Sequence, residues 1–183
     1  MVPIERGALW LPNKERHSHL VGRLIWNGNI ISNFESGQKP SFVDALSGAN
    51  MSFRRKLIKK AGGFSPFYEG NAYRFETDFS LKVKKIGFKI VYDPRAIVFH
   101  RRADEGGCRV SVYDWNYWFS RNHTLFVLRC LRRKIVRVLS FSVEHLLRIL
   151  RRRRACPYEK PKKWNLVLLM FFRDLLDGLN TGI

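Results

Sequence analysis

The sequence predicts an α/β fold, more narrowly a portion of an α/β domain with amphipathic helices on its C-terminal side. Three observations lead there. Phe79, Val83 and Ile86 recur at i, i+4 and i+7 ahead of Gly87, the spacing of one helix face. The runs "FKIVYD" and "AIVFH" that follow are short, β-branched and aromatic, and Pro94 splits them. Beyond residue 111 the pattern turns helical. Leu128, Leu131, Ile135, Leu139, Leu146 and Ile149 share one side, and Arg129, Arg133, Arg137 and Arg148 occupy another.

Taken in order, residues 1–42 form a loop-rich linker segment, in which "NGN" and "ESGQKPS" are turn formers and one short element is expected around Leu20–Trp26. Residues 43–123 hold the α/β portion. "VDALSGANMSF" is strand-like at its ends around a small-residue turn. "RRKLIKKAGGF" is a short basic helix stopped at Gly62 and Gly63, because glycine takes the left-handed conformation past a helix end without steric cost. Thr77 or Asp78 is expected to cap the next helix, and the two short strands follow it. Residues 124–183 form a basic helical tail. It consists of one or two amphipathic helices, a hinge at "CPYEKPKK", and a shorter apolar helix in "WNLVLLMFFRDLLDGL".

With 183 residues, 45% of them hydrophobic, the chain can bury one core of its own or form part of a larger one. The net charge of +19 is unevenly spread: residues 101–163 carry 17 Lys and Arg against 5 Asp and Glu. Cys108, Cys130 and Cys156 form no CxxC pair, which fits a reducing compartment and argues against a cysteine zinc site. No apolar stretch of signal-peptide length opens the sequence, so the cytoplasm is the expected location. The longest apolar run, "LVLLMFF", falls far short of the roughly 20 residues a spanning helix needs.

In a chain this basic, Glu76 and Asp78 need an explanation. Two residues apart at a helix N-terminus, they can cap the helix and favour its positive dipole end, which contributes about 0.5–2 kcal/mol. Their company suggests more. "SGAN" at 47–50 is a turn small enough for a backbone to approach a ligand, "GGF" follows, and "YDPRAIVFH" places His100 at a strand end. A histidine there can be a core residue or a metal ligand.

In order and spacing, "VDALSGANMSFRRKLIKKAGGF" (43–64), "ETDFSLKVKKIGFKIVYDPRAIVFH" (76–100) and "YWFSRNHTLFVLR" (117–129) resemble the C-terminal half of the catalytic domain of family 2 glycosyltransferases, which have the GT-A fold. "HLVGRLIWNGNIISNF" is similar, more weakly, to that family's linker segment. The resemblance implies an inverting transfer, in which an acceptor hydroxyl displaces a nucleoside diphosphate from an activated sugar. It places Glu76 at the second acid of the family's acidic pair, as the general base, with Phe75 where the first acid often stands. It places Asp78 at the acidic position that follows, for capping, acceptor orientation or catalysis. Gly48, Ala49 and Asn50 are implied to border the donor sugar and acceptor, and His100 to complete a Mn²⁺ or Mg²⁺ site. The family's N-terminal half supplies nucleotide-binding βαβ units and an Asp-x-Asp motif, and this chain contains no Asp-x-Asp. It looks like the acceptor-side half alone, a partial GT-A fold: a truncated product, one part of a split enzyme whose partner is a separate N-terminal half, or a chain read from a misplaced start. The implied acceptor is a lipid-linked or cell-envelope glycan at the cytoplasmic face of the cell membrane.

Two other classes compete. A pI near 10.5 with Trp115, Tyr117, Trp118 and arginine clusters suits nucleic acid, but no binding motif fixes that reading, and nucleic acid is not the expected partner. A non-catalytic membrane-surface module would use the amphipathic stretch 124–150 and "RRRR" to hold anionic lipid.

Overall fold

The computed structural model describes residues 20–99, 110–151 and 161–182. It is a mixed α/β structure with five helices and two small two-stranded sheets among these residues. The described chain divides into two compact units. One is built from residues 20–25, 29–65 and 75–99, the other from 26–28, 66–74, 110–151 and 161–182.

The first unit holds β1 (Arg23–Leu24), β2 (Ile30–Ile31), β3 (Ser41–Val43), α1 (Arg55–Lys60), α2 (Phe75–Lys85) and β4 (Ile90–Tyr92). β1 pairs antiparallel with β2, and β3 pairs antiparallel with β4 in the register Ser41 to Tyr92, Phe42 to Val91 and Val43 to Ile90. Side chains alternate across the second pair. Val43, Ile90 and Tyr92 point inward and join Phe79 and Val83 of α2 and Val21 in one core. Phe53 meets Phe79 edge-on at 4.8 Å, and Phe64 lies 4.3 Å from it. At Gly22 a Cβ would stand 2.6 Å from the Ala45 carbonyl oxygen, so this crossing requires glycine.

α1 and α2 end as their glycines predict. Gly62, Gly63 and Gly87 all have positive φ, and the Gly63 amide donates back to the Ile58 carbonyl. Three expectations are corrected. α2 begins at Phe75, so Thr77 and Asp78 sit buried inside its first turn and neither is the N-cap. "AIVFH" forms no strand over its described residues 96–99: Ala96 turns back to the Asp93 carbonyl, and Ile97 and Phe99 are exposed with no ladder to join. The second half of "VDALSGANMSF" is likewise outside any ladder, because the turn that carries the Asn50 amide to the Ser47 carbonyl leads into loop.

The second unit is helical: α3 (Val112–Cys130), α4 (Lys134–Leu150) and α5 (Trp164–Gly182). Ser111 caps α3, accepting from the Asp114 amide while its hydroxyl meets the Asp114 carboxylate. From Phe119 to Leu128 every residue of α3 is buried, and the helix runs unbroken through residues 123 and 124, where the tail was expected to begin. α5 packs on α3 along Val167, Phe171, Asp174 and Gly178, the i, i+4, i+7, i+11 stripe of one face. A Cβ on Gly178 would lie 2.9 Å from the Thr124 Cβ, so the glycine sets how closely these helices approach. The chain leaves α3 at Leu131 and enters α4 through Arg133, a left-handed residue at φ 53°. No described helix is long and apolar enough to cross a membrane.

Candidate functional site

The first unit brings together stretches that are far apart in sequence. The first turn of α2 presents Glu76, half-buried, at the "SGAN" turn: a Cβ built on Gly48 would lie 3.2 Å from the Phe75 ring and 3.9 Å from the Glu76 Cδ. The missing side chain at Gly48 is what lets that turn come so close to a carboxylate. Asn50 ties the same turn to the third stretch, its side-chain amide donating to the Ala96 carbonyl at 2.6 Å. Gly48, Ala49 and Asn50 are all exposed, while Glu76 beside them is half-buried with its Oε2 inside the surface.

Asp78 is placed differently. It is 5% exposed, and its Oδ2 accepts from Lys82 Nζ one helical turn on, at 3.1 Å. This ion pair builds the carboxylate into α2. Of the two acids, Glu76 is therefore the one disposed toward the open turn. His100 lies outside the described residues, and among those described no group of three or more His, Cys, Asp and Glu is placed to hold a metal ion.

Asp44 supports the same unit. Its carboxylate accepts from the Leu24 amide and pairs with Arg23 and Lys84. Burial pushes its pKa up, but the Lys84 hydrogen bond, the Leu24 amide and the two cations outweigh that and hold it below the ordinary value. Asp44 is thereby kept ionised as a structural anchor.

The second unit holds polar groups that the sequence did not single out. Arg74, 3% exposed and in the left-handed region at φ 79°, donates from Nε and Nη2 to Nδ1 of His123. The opposite nitrogen of His123 donates to the Asn27 carbonyl at 2.8 Å. Burial, then the charge of Arg74, keeps this histidine neutral, its pKa well below 6.5. Arg121 and Asn122 donate to the carbonyls of Phe67 and Glu69, so α3 holds the 66–74 loop by side-chain hydrogen bonds. His145 lies parallel to Phe141 with ring centroids 5.6 Å apart, and neither ring nitrogen has a partner among the described residues. Burial and then Arg148 push its pKa down to about 3.

Asp174 is fully buried in the α5 stripe, with no hydrogen-bond partner of good geometry for either carboxylate oxygen among the described residues. Burial pushes its pKa up to about 9, which the nearby Ser120 hydroxyl and Leu175 amide only partly offset. An acid inside an otherwise apolar stripe was the available sequence signal for it. The buried arginines and histidines gave none, since their burial depends on which helices pack together.

No protein-family model matches the chain, and no curated protein or solved structure matches it significantly.

Proposed function

We propose that the chain is the acceptor-side half of an inverting family 2 glycosyltransferase with a partial GT-A fold, in which Glu76 is the general base. The observation that supports this most is the juxtaposition of Gly48 with Glu76 beside an exposed small-residue turn that Asn50 ties to Ala96. In the transfer, the acceptor hydroxyl gives its proton to the Glu76 carboxylate as its oxygen bonds to the anomeric carbon. The bond from that carbon to the diphosphate breaks, and the nucleoside diphosphate leaves. A carboxylate is competent for this within hydrogen-bond reach of the hydroxyl. Asp78, held by Lys82, keeps the first turn of α2 in place.

The phosphate side of the reaction needs groups that neutralise the departing diphosphate. With no Asp-x-Asp in the sequence, that part falls to a second half, and Mn²⁺ or Mg²⁺, which His100 would help to hold, would supply positive charge to the departing diphosphate. The substrates are a nucleotide-sugar and a lipid-linked or envelope glycan acceptor, met at the inner face of the cell membrane.

The test joins the chain to the nucleotide-binding half of a complete family 2 enzyme and measures nucleoside diphosphate release from a panel of nucleotide-sugars, with and without acceptor. Acceptor-dependent release that Glu76→Gln lowers by about 10²-fold or more, with donor binding spared, is the expected result. Robust metal-dependent turnover by the 183-residue chain alone, or a Glu76→Gln variant as active as its parent, overturns the reading.

A further inference from the structure

α4 is apolar on two sides, and only one of them is used inside its own unit. Val138, Phe141, His145 and Ile149 face inward, where Phe141 joins the Val112, Trp115 and Phe119 core and Ile149 meets Val167 and Phe171. The other side carries Ile135, Val136, Leu139, Val143, Leu147 and Leu150, each between 43% and 74% exposed. At 100° per residue these six fall within one face, on the opposite side of the helix from Phe141 and His145. The strip is about 24 Å long at 1.5 Å per residue. An exposed apolar patch of this kind marks an interaction surface.

The charges beside the strip indicate what covers it. Exposed Arg129, Arg132, Arg133 and Lys134 bracket one end, and Arg151 the other, where Arg152, Arg153 and Arg154 continue the sequence. Next to the first cluster stands exposed Trp26, with the Arg137 guanidinium 4.4 Å from its ring centroid and that of Arg133 at 5.9 Å. Arg137 also donates to the Trp26 carbonyl. Aliphatic side chains in a row, cations at both ends and a tryptophan among arginines suit the boundary between acyl chains and anionic headgroups.

A second copy of the chain fits poorly, because parallel or antiparallel pairing through α4 brings like charges together at both ends. Nucleic acid fits the arginines but leaves a strip without an aromatic unexplained, since bases stack on aromatic rings.

We propose that the outer face of α4 lies on the surface of an anionic bilayer, with its aliphatic residues among the acyl chains and Trp26 and the flanking arginines at the headgroups. The inference concerns the second unit alone, so it and the glycosyl-transfer reading can fail separately.

The experiment is flotation of the full chain with vesicles of phosphatidylcholine alone and with about one-third phosphatidylglycerol, at rising salt. Binding is expected only with phosphatidylglycerol and is expected to weaken with salt. Leu139→Glu with Val143→Glu keeps every arginine and changes two exposed positions, so it should remain folded by circular dichroism and lose flotation. Arg132→Gln with Lys134→Gln tests the charges separately and should weaken binding by roughly 25-fold, about fivefold per cation. A folded Leu139→Glu/Val143→Glu variant that floats like the parent overturns the proposal, as does equal binding to both vesicle types. So does a wild-type dimer by sedimentation that this variant dissociates, or RNA binding by the parent in the absence of flotation.

Discussion

Lys82 reaches back one turn of α2 to Asp78, and that contact separates the roles of the two acids at the head of the helix. Asp78→Ala removes the buried end of this ion pair and leaves Lys82 with the Gly63 carbonyl alone, so it should cost about 1–3 kcal/mol of stability in urea unfolding. Glu76→Gln, at a half-buried position beside an exposed turn, should leave stability within about 0.5 kcal/mol while lowering acceptor-dependent release about 10²-fold or more in the completed enzyme. If the two variants exchange these phenotypes, Asp78 is the base. Gly48→Val probes the same spot from the other side. Its side chain would press on the Phe75 ring, and a solvent-exposed glycine that changed transfer but not stability would mark the turn as part of the acceptor site. Position 174 offers a contrasting test. The folded chain holds a proton on this acid that the unfolded chain releases above pH 3.8, so Asp174 favours folding less and less as pH rises toward 9. Asp174→Asn keeps the shape and removes that cost. It should therefore raise stability at pH 8 by roughly 1–3 kcal/mol and make little difference at pH 4, measured by urea unfolding at both.

Among the elements, those with a strong local signal were legible in the sequence. α1 and α2 follow from apolar spacing and from glycines whose positive φ no other residue adopts cheaply. The run 96–99 has strand composition but forms no strand, because strand character needs a partner, and β4 already pairs with β3 while Ile97 and Phe99 are exposed. The arginine periodicity past 124 was legible as helix. What it concealed is that α3 stays buried to Leu128, that Arg133 breaks the run, and that α4 has two apolar sides, one of which a single-stripe reading could not distinguish. In the candidate site, the types and order of residues were legible, but the approach of Gly48 to Glu76 and the commitment of Asp78 to Lys82 are tertiary facts. The α3 and α5 contact carries a further prediction. Gly178→Leu places atoms where Thr124 already stands, forcing the helices apart, and should cost about 1–3 kcal/mol in the same unfolding assay.

For the molecule as a whole, three buried titratable groups set opposing slopes of stability with pH. His123 and His145 stay neutral when folded, while in the unfolded chain they take up protons below about pH 6.5, so their contribution falls as the solution is acidified through that value. Asp174 acts in the opposite sense from pH 9 down to 3.8. From pH 9 to 6.5 acidification therefore strengthens the fold through one group, and below 6.5 two groups outweigh it. Denaturation midpoints taken across this range should peak near pH 6.5, and His145→Phe should move the peak toward acid. Finally, the β3 and β4 ribbon carries Phe42 and Val91 opposite each other on its outward side, 59% and 53% exposed, with Lys89 over the Phe42 ring and Phe88 beside Lys60. A two-stranded ribbon apolar on both sides, with no third strand in its sheet among the described residues, offers edges to which another chain's strand can add. The yield of this protein during overexpression should accordingly be limited by inclusion-body formation seeded at that ribbon. Phe42→Thr with Val91→Thr should shift protein from pellet to supernatant while leaving the circular dichroism spectrum of the soluble fraction unchanged.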